Sequence, residues 1–367
     1  MPVLELFQEA NRQLTICNSC RYCEGYCPVF RAIETRRDFA SGDVQYLANL
    51  CHDCRACYYA CMYAPPHEFA INIPKILADA RAESYRRWSW PEFLSRAFDH
   101  RFVEAALAFI AWAVVVLLSV TIVGKDRMFT RHLGSGAFYQ VIPYVAVVIG
   151  GMVLFFYWTC VWVIGGVRFW SEANNHAPQL SSLTSVVGAI ADALSLNYLK
   201  GGGPGCYYPK DRPSSVRRIY HSLTAWGFLS ALMSTSLAAI YQDVFHWLPP
   251  FRLVSAPVLF GTAGGVAMTI GTVGLIWFKL KSDDVPAGSA APTMDYTFLV
   301  MLCLTSLSGL FTLVFRAASA MGTILVIHLG FVAALFITAP YGKFVHVVYR
   351  FLALVKYRTE SVGPSRF

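Results

Sequence analysis

The sequence predicts an all-α membrane protein built in two parts, and three observations support this prediction. The chain of 367 residues is 56% hydrophobic and only 14% charged, with a mean hydropathy of +0.47. Several apolar runs exceed the eighteen residues that a helix needs to cross a bilayer. Two cysteine blocks precede the first of these runs. We therefore expect a cytoplasmic two-cluster domain over residues 1–100 and a transmembrane helical domain over residues 101–367.

The N-terminal region is expected to stay in the cytoplasm. Its first residues, MPVLELFQEANRQLTIC, lack the basic start and the long apolar core of a signal peptide. Cytoplasmic thiols remain reduced, so dense cysteine there indicates metal binding more often than disulfides. Eight of the eleven cysteines lie in the two blocks, and Cys160, Cys206 and Cys303 are scattered.

The two cysteine blocks share one spacing. Residues 17–28 read CNSCRYCEGYCP and residues 51–61 read CHDCRACYYAC, so each block is C-x2-C-x2-C-x3-C. Bacterial two-cluster ferredoxins have this spacing, and their fourth cysteine binds the other cluster. Zinc and disulfides are the alternatives, but zinc usually takes two pairs of ligands rather than two quartets. We predict two [4Fe–4S] clusters, one on Cys17, Cys20, Cys23 and Cys61 and the other on Cys51, Cys54, Cys57 and Cys27.

Six membrane spans are predicted after the cysteine blocks. Lysine and arginine concentrate in the loop 168–218, in the loop after the fourth span and in the C-terminal tail. Cytoplasmic loops carry such an excess, so both termini are expected in the cytoplasm of a bacterial cell, with the spans in its inner membrane. These basic loops explain the net charge of +8 better than nucleic acid binding does. The spans are residues 102–123, 138–167, 219–241, 253–278, 296–315 and 323–349.

Four histidines lie in or beside the third and sixth spans, where a histidine is costly unless it has a function. His328 and His346 are 18 residues apart, or five turns and about 27 Å along one helix. His221 and His246 are 25 residues apart, close to seven turns. Each pair then shares one helix face. This predicts two stacked haems, between His221 and His346 near the cytoplasm and between His246 and His328 outside. Interfacial or hydrogen-bonded histidines are the simpler alternative.

Several other features have more ordinary interpretations. His132 is the substitute ligand if His246 does not point inward. Pro143, Pro257 and Pro340 are expected to kink any helix that contains them. GGGPG at 201–205 is expected to be a flexible turn, since no Lys-Ser/Thr follows to make a phosphate loop. The histidines expected at the surface or at interfaces are His52, His67, His100 and His176.

Longer stretches of the chain carry a family resemblance. Together with the cysteine blocks, they resemble the citrate/tricarballylate utilisation protein B family over nearly the whole length. The last stretch also looks like the haem-carrying helix of the membrane cytochrome b subunits of nitrate reductase and heterodisulfide reductase. In this family a histidine often stands at the position of Gln242, and here it comes one turn later at His246. The stretches are LNYLKGGGPGCYYP (196–209), RRIYHSLTAWGF (217–228), VLFGTAGGVAMTIGTVGL (258–275), TMDYTFLVMLCLTSLSGL (293–310) and GTILVIHLGFVAALFITAPYGKFVHVVYRF (322–351).

The resemblance implies a partner and an acceptor. Members of the family are thought to reoxidise a soluble FAD-dependent tricarballylate dehydrogenase and to pass its electrons to membrane quinone. The residues themselves indicate only the path: cytoplasmic clusters, then one or two haems b, then a lipid-soluble quinone, with no catalytic side chain assigned. A tricarboxylate transporter or a transport-linked redox sensor is the alternative, which six spans permit. The scarcity of basic residues deep in the spans and the lack of an internal repeat count against it.

Overall fold

The computed structural model describes residues 3–98, 102–174, 181–201, 203, 205–289 and 292–362. Within these residues the only sheet is a hairpin of two short strands, β1 (Cys206–Tyr207) and β2 (Pro213–Ser214). All other regular structure is helical. The prediction of an all-α protein is therefore confirmed.

The N-terminal region folds into six helices around the cysteine blocks. Local sequence determines where several of them begin. α2 starts with Pro28, whose missing N–H is not needed in the first turn of a helix. α5 starts after Asn72, whose side chain accepts a hydrogen bond from the backbone N–H of Lys75. The six are α1 (Val3–Cys20), α2 (Pro28–Glu34), α3 (Ser41–Leu50), α4 (Ala56–Tyr59), α5 (Ile73–Trp88) and α6 (Glu92–Ala97).

Six helices among the described residues are long and apolar enough to cross a membrane, as the sequence predicts. Pro143 and Pro257 do not kink them, because Pro143 precedes one helix and Pro257 lies in the first turn of another. The six are α7 (Val103–Val123), α10 (Tyr144–Ala173), α12 (Val216–Asp243), α13 (Ala256–Leu280), α14 (Pro292–Val314) and α15 (Met321–Thr338). The remaining helices are α8 (Lys125–Met128), α9 (Ala137–Val141), α11 (Leu183–Ser195) and α16 (His346–Val362).

The prediction of a single sixth span over 323–349 is wrong. α15 ends at Thr338, and a 3-10 turn over Lys343–Val345 leads into the separate helix α16. Pro340 lies in this break, where its ring and its missing N–H disfavour a continuous helix. His328 and His346 therefore belong to different helices, and the five-turn spacing along one helix does not apply to them.

The buried core of the N-terminal region extends across the expected division at residue 100. Leu47 and Leu77 belong to one buried apolar cluster with Phe169 of α10, Ala189 of α11 and Tyr349 of α16. The amphipathic helices α11 and α16 pack against each other, and α16 also packs against α3. The N-terminal region and the ends of these three helices thus form one packed unit.

Charged contacts attach α16 to this unit. Glu360 accepts hydrogen bonds from Arg36 at 2.6 Å and from the hydroxyl of Tyr46 at 3.0 Å, and it pairs with Lys356 at 3.2 Å. The guanidinium of Arg36 is mostly buried, and its Nε atom also contacts Asp43 at 2.7 Å. Because α16 begins at His346, these contacts position that histidine relative to the cysteine blocks.

Glycines allow α12 and α13 to pack closely. A Cβ atom at Gly264 would lie 2.7 Å from the carbonyl oxygen of Gly227. A Cβ atom at Gly271 would lie 2.5 Å from the hydroxyl of Thr224. Backbones that approach this closely leave no room for a side chain. The close packing of these two helices fixes the position of α12, on which His221 lies.

Candidate metal centres

The first pocket is lined by four cysteines from two separate segments. Cys17 and Cys20 lie at the end of α1, Cys23 lies in the turn that follows, and Cys61 comes after α4. The pocket has an empty volume of about 370 Å³. Cys20 is exposed, so this pocket opens to solvent. Burial raises the pKa of Cys17 and of Cys23 to about 12, and the thiols there need bound metal to lose their protons at physiological pH.

The second pocket has the same kind of lining but lies deeper. Cys27 precedes α2, Cys51 follows α3, and Cys54 and Cys57 flank the start of α4. Its empty volume is about 360 Å³. Cys51 and Cys54 are only 8% and 9% exposed. Burial raises the pKa of Cys54 to about 12 and holds that of Cys27 and Cys57 well above the usual range.

The structure thus brings together the two quartets that the spacing predicts, each with its fourth cysteine from the other block. Among the described residues, no three histidine, cysteine or acidic side chains are close enough to share one metal ion. In both pockets the sulfurs instead surround a space. Four thiolates around a space match the ligand set of a [4Fe–4S] cluster, whose irons each take one cysteine.

The hairpin after α11 covers the second pocket. Residues 202 and 204 of GGGPG lie outside the described residues, so the flexible turn at 201–205 stays a prediction. The backbone N–H of Tyr207 donates to the carbonyl oxygen of Cys54 at 2.8 Å. Cys206 is fully buried, and its thiol donates to the carbonyl oxygen of Leu199 at 3.1 Å. Gly205 has a φ of +125°, and a Cβ atom there would lie 2.8 Å from the backbone of Ser214. Glycine is therefore required where the loop meets the hairpin.

Arginines gather around the second pocket. Arg350 donates to the carbonyl oxygen of Cys51 at 2.9 Å, and Arg81 donates to that of Ala48 at 2.9 Å. Arg55 is 3% exposed, and its guanidinium lies 4.4 Å from the ring centre of Tyr208. Arg217 lies 4.7 Å from the same ring centre and donates to the carbonyl oxygens of Asp53 and His52. These four guanidinium groups lie around the second pocket, and the carboxylate of Asp53 pairs with two of them, Arg55 at 3.6 Å and Arg217 at 4.0 Å.

Three histidines lie near one another beside the second pocket. His221 lies close enough to both His52 and His346 to interact with them electrostatically. The Nδ1 atom of His346 is 2.6 Å from the carbonyl oxygen of Lys343, and that of His52 is 2.8 Å from the carbonyl oxygen of Leu50.

These contacts determine which nitrogen of each ring is free. A carbonyl oxygen only accepts, so Nδ1 carries the hydrogen in His52 and His346 and the Nε2 lone pair is available to a metal. Burial and the charge of Arg350 hold the pKa of both imidazoles well below the usual range, so they are neutral. The Nδ1 atom of His221 is buried without a hydrogen-bond partner among the described residues. The structure therefore brings His221 and His346 together, as the sequence predicts, and adds His52 beside them.

The outer histidines are not brought together in the same way. His328 contacts α14, where its Nδ1 atom is 3.0 Å from the hydroxyl of Ser308 and its ring lies against Gly309. His246 is exposed, with a φ of +57°, beyond the end of α12. Among the described residues no hydrogen bond or ring contact joins His246 to His328. Gln242, one turn earlier, is buried and accepts a hydrogen bond from Tyr139.

The remaining histidines have local partners or lie outside the described residues. Both ring nitrogens of His132 are engaged, with Gln140 at 2.8 Å and with the carbonyl oxygen of Arg127 at 2.7 Å, so His132 has no free nitrogen to replace His246. His67 accepts a hydrogen bond from the backbone N–H of Phe69 at 3.1 Å. His100 and His176 lie outside the described residues.

Comparison with known proteins places the chain in a family. The profile of the family "Citrate utilization protein B" matches residues 100–365, and that of its "Fer4-like domain" matches residues 10–87. A curated relative from Escherichia coli, "Citrate utilization protein B", is 39% identical over 356 residues, which cover 96% of this chain and 92% of the relative. No solved structure matches the chain. The Fer4-like match agrees with the two cysteine pockets, and the six apolar helices agree with a multi-pass membrane protein. The chain belongs to the citrate utilization protein B family.

Proposed function

We propose that the protein carries electrons from a cytoplasmic flavoprotein, through two [4Fe–4S] clusters and haem b, to quinone in the membrane. The observation that carries this proposal is the position of the second cysteine pocket, which adjoins the first pocket on one side and the histidines on the other. The name of the Escherichia coli relative supports a role in the use of citrate or a related tricarboxylate. We place the spans in a bacterial inner membrane with both termini in the cytoplasm.

Contacts between the pockets support a continuous electron path. Phe30 lines both pockets, so the two clusters would be neighbours. Arg350 then links the second pocket to the histidines. Its guanidinium contacts the backbone of Cys51, and it lies four residues after His346 on α16. Residues four apart share one face of a helix, so Arg350 and His346 are stacked one turn apart.

The histidine pair fits the axial ligand set of haem b. His346 presents a neutral imidazole with a free Nε2 atom. The Nδ1 atom of His221 is buried and makes no hydrogen bond among the described residues, so no hydrogen bond at this atom fixes the orientation of that ring. When bound, haem would supply an iron that takes up and releases one electron at a time. The outer side offers His328 without a facing histidine, so we propose one haem rather than two.

The proposed donor is a soluble FAD-dependent tricarballylate dehydrogenase. Its reduced flavin would give up two electrons singly, because each cluster accepts one. Quinone takes up two electrons and two protons and becomes quinol, so the reaction is balanced when one flavin is oxidised for each quinone reduced. The side chains of this protein transfer electrons and position cofactors, and none is proposed to form a covalent intermediate.

A reduced-minus-oxidised spectrum of the purified protein tests the cofactors, with a pyridine haemochrome assay and an iron count on the same sample. We expect about eight cluster irons and one haem b for each chain. Turnover is tested by quinone reduction in His346→Ala, compared with His67→Ala as the control. Loss of quinone reduction with intact cluster signals is expected only in His346→Ala, and unchanged turnover in that variant would exclude the haem step.

The alternative function, tricarboxylate transport, predicts a different result. Uptake of labelled citrate by vesicles that contain this protein alone would support it. Two lysines at the ends of the described spans do not favour it, because Lys279 and Lys343 both pair with Asp295, at 2.6 and 2.8 Å. A tricarboxylate would need such charges to be free.

A further inference from the structure

We propose that Arg81 and Arg350 form an anion site that binds the two propionate carboxylates of the haem held between His221 and His346. This inference rests on the proposed function, since it requires the haem. It adds two residues that no cysteine or histidine pattern identifies, and it assigns the orientation of the cofactor.

The first observation is a group of buried polar atoms without partners. The Nε atom of Arg350, the Nη2 atom of Arg81 and the hydroxyl of Tyr85 are all buried and make no hydrogen bond among the described residues. The same holds for both side-chain polar atoms of Gln45 and for the Oδ1 atom of Asn49. Buried polar groups in proteins nearly always have a partner, so a cluster of such atoms indicates a bound polar group or ordered water.

These atoms come from three helices that meet in one place. Asn49 of α3 donates to the hydroxyl of Ser84 of α5 at 3.0 Å, and Gln45 lies one turn earlier on α3. Arg81 and Tyr85 are four residues apart on α5, so they share one face. Arg350 of α16 is close enough for its charge to interact with both of them.

The second observation is the positive charge that gathers where these three helices meet. The groups that act most strongly on Arg350 are Arg81, Tyr85, Cys51 and Arg217, and none of them is a carboxylate. Arg81 is only 4% exposed, so two guanidinium groups lie together away from water. Buried charges of one sign are costly unless an opposite charge compensates them. The two propionates of one haem would supply two negative charges, and guanidinium binds carboxylate in a well-defined geometry.

The third observation is the position of the arginines relative to the histidines. Arg350 follows His346 by four residues on α16, and Arg217 precedes His221 by four residues on α12. Each histidine therefore has an arginine about one turn away on the same helix face, on the side of the second cysteine pocket. Both propionates lie on one edge of a haem, so this edge would face that pocket.

The test is a redox titration of the haem in the full-length protein. Arg81→Gln and Arg350→Gln each remove a positive charge that favours the reduced iron, so we expect a downward shift of the haem midpoint potential and weaker retention of haem. Arg350→Lys keeps the charge and should restore most of the potential. Arg37→Gln is the control, because Arg37 is exposed and lies in the segment between α2 and α3.

A second measurement leaves the protein unchanged and alters the ligand. The haem-depleted protein is reconstituted with haem b or with its dimethyl ester, which lacks the two negative charges. We expect the wild-type protein to prefer haem b, and Arg81→Gln to lose most of this preference. Equal binding of the two by the wild-type protein would overturn the inference even if the arginine variants fold poorly.

The outcomes separate this inference from the proposed function. A wild-type protein without haem would refute the haem step and this site together. A wild-type protein with haem whose potential is the same in Arg81→Gln and Arg350→Gln would refute only the site. A shift confined to the second cluster would show that the arginines compensate the charge of that cluster, and would also overturn the inference.

Discussion

The two cysteine pockets have the same ligand spacing and different surroundings. The first pocket includes the exposed Cys20 and lies beside Tyr22 and Met62, which are 57% and 60% exposed. The second pocket is covered by the loop that carries Cys206 and is enclosed by arginines. The spacing of the cysteines therefore specifies what each pocket can bind. The surroundings of each pocket specify its place in the proposed electron path.

The surroundings also indicate the direction of electron flow. Reduction adds a negative charge to a cluster, and nearby positive charge stabilises the reduced form. Arg55 lines the second pocket and Arg217 donates to the backbone of Asp53 beside it, whereas Arg21 beside the first pocket is exposed and donates to the carbonyl oxygen of Asn18. We therefore expect the second cluster to have the higher potential and to receive electrons from the first.

The largest expected effect comes from removing a ligand of the second pocket. Cys57→Ser should abolish the signal of the second cluster and lower quinone reduction by at least about 100-fold, because losing even an outer-shell partner of a metal ligand costs 10–100-fold. Electron paramagnetic resonance and a quinone reduction assay measure the two effects. Cys160→Ser is the control, since Cys160 is exposed on α10. Normal turnover in Cys57→Ser would mean that electrons bypass the second pocket.

Removing a positive charge beside the second pocket should narrow the difference in reduction potential between the two clusters. Arg55→Gln removes a buried cation that lies against Tyr208, above the second pocket. We expect the potential of the second cluster to fall and that of the first to stay the same, with turnover lowered several-fold. A redox titration followed by electron paramagnetic resonance resolves the two clusters, and Arg21→Gln serves as the matched control at the first pocket. Equal shifts in the potentials of both clusters would show that the two clusters do not have separate electrostatic environments.

The exposed surface of the first pocket should matter only for a protein donor. Met62→Lys places a charge beside Cys61 on an exposed apolar surface, and a docking flavoprotein would have to desolvate it. We expect reduction of the clusters by the flavoprotein to slow several-fold, while reduction by dithionite keeps its rate. Stopped-flow absorbance measures both rates. Leu4→Lys is the control, because Leu4 is also exposed, at 70% against 60% for Met62, but lies more than three turns from Cys17 on α1.

The features predicted from sequence are those that depend on local spacing. The two cysteine quartets follow from a fixed pattern, and the six spans follow from long apolar runs. The predicted ends lie within about four residues of the helix ends for four spans, whereas the second span is shifted by six residues and the sixth extends eleven residues past the end of α15. The structure places His221 near His346, although the helix that was expected to carry His328 and His346 is broken after Thr338, and the joint binding of one haem by this pair stays a prediction.

The features that could not be predicted depend on contacts between distant segments. Nothing local shows that the loop at Gly205 covers the second pocket, because the hydrogen bond from Tyr207 to Cys54 spans the two domains of the sequence. His246 is a local departure instead, since it is exposed and has a φ of +57° beyond the end of α12. One local signal was available. Arginine lies four residues from both His221 and His346, and that periodicity marks a shared face.

The smallest expected effect concerns the contact that holds α16 beside the second pocket. Burial alone would raise the pKa of Glu360, but Arg36 and Lys356 lower it below its ordinary value. A carboxyl group with a lowered pKa stabilises the fold above its unfolded pKa, and this contribution is lost as the pH falls through its folded pKa. Glu360→Gln should therefore destabilise the packing of α16 by about 1–3 kcal/mol at pH 7, and the difference from the wild-type protein should shrink below about pH 4. Hydrogen exchange of α16 at both pH values measures this. Glu92→Gln is the control, because Glu92 lies in an exposed pair with Arg96.

Since α16 positions His346 and Arg350, faster exchange in Glu360→Gln should come with slower electron transfer from the second cluster and no change at the first. Such a result would show that the two pockets differ in their coupling to the membrane domain as well as in their exposure to solvent.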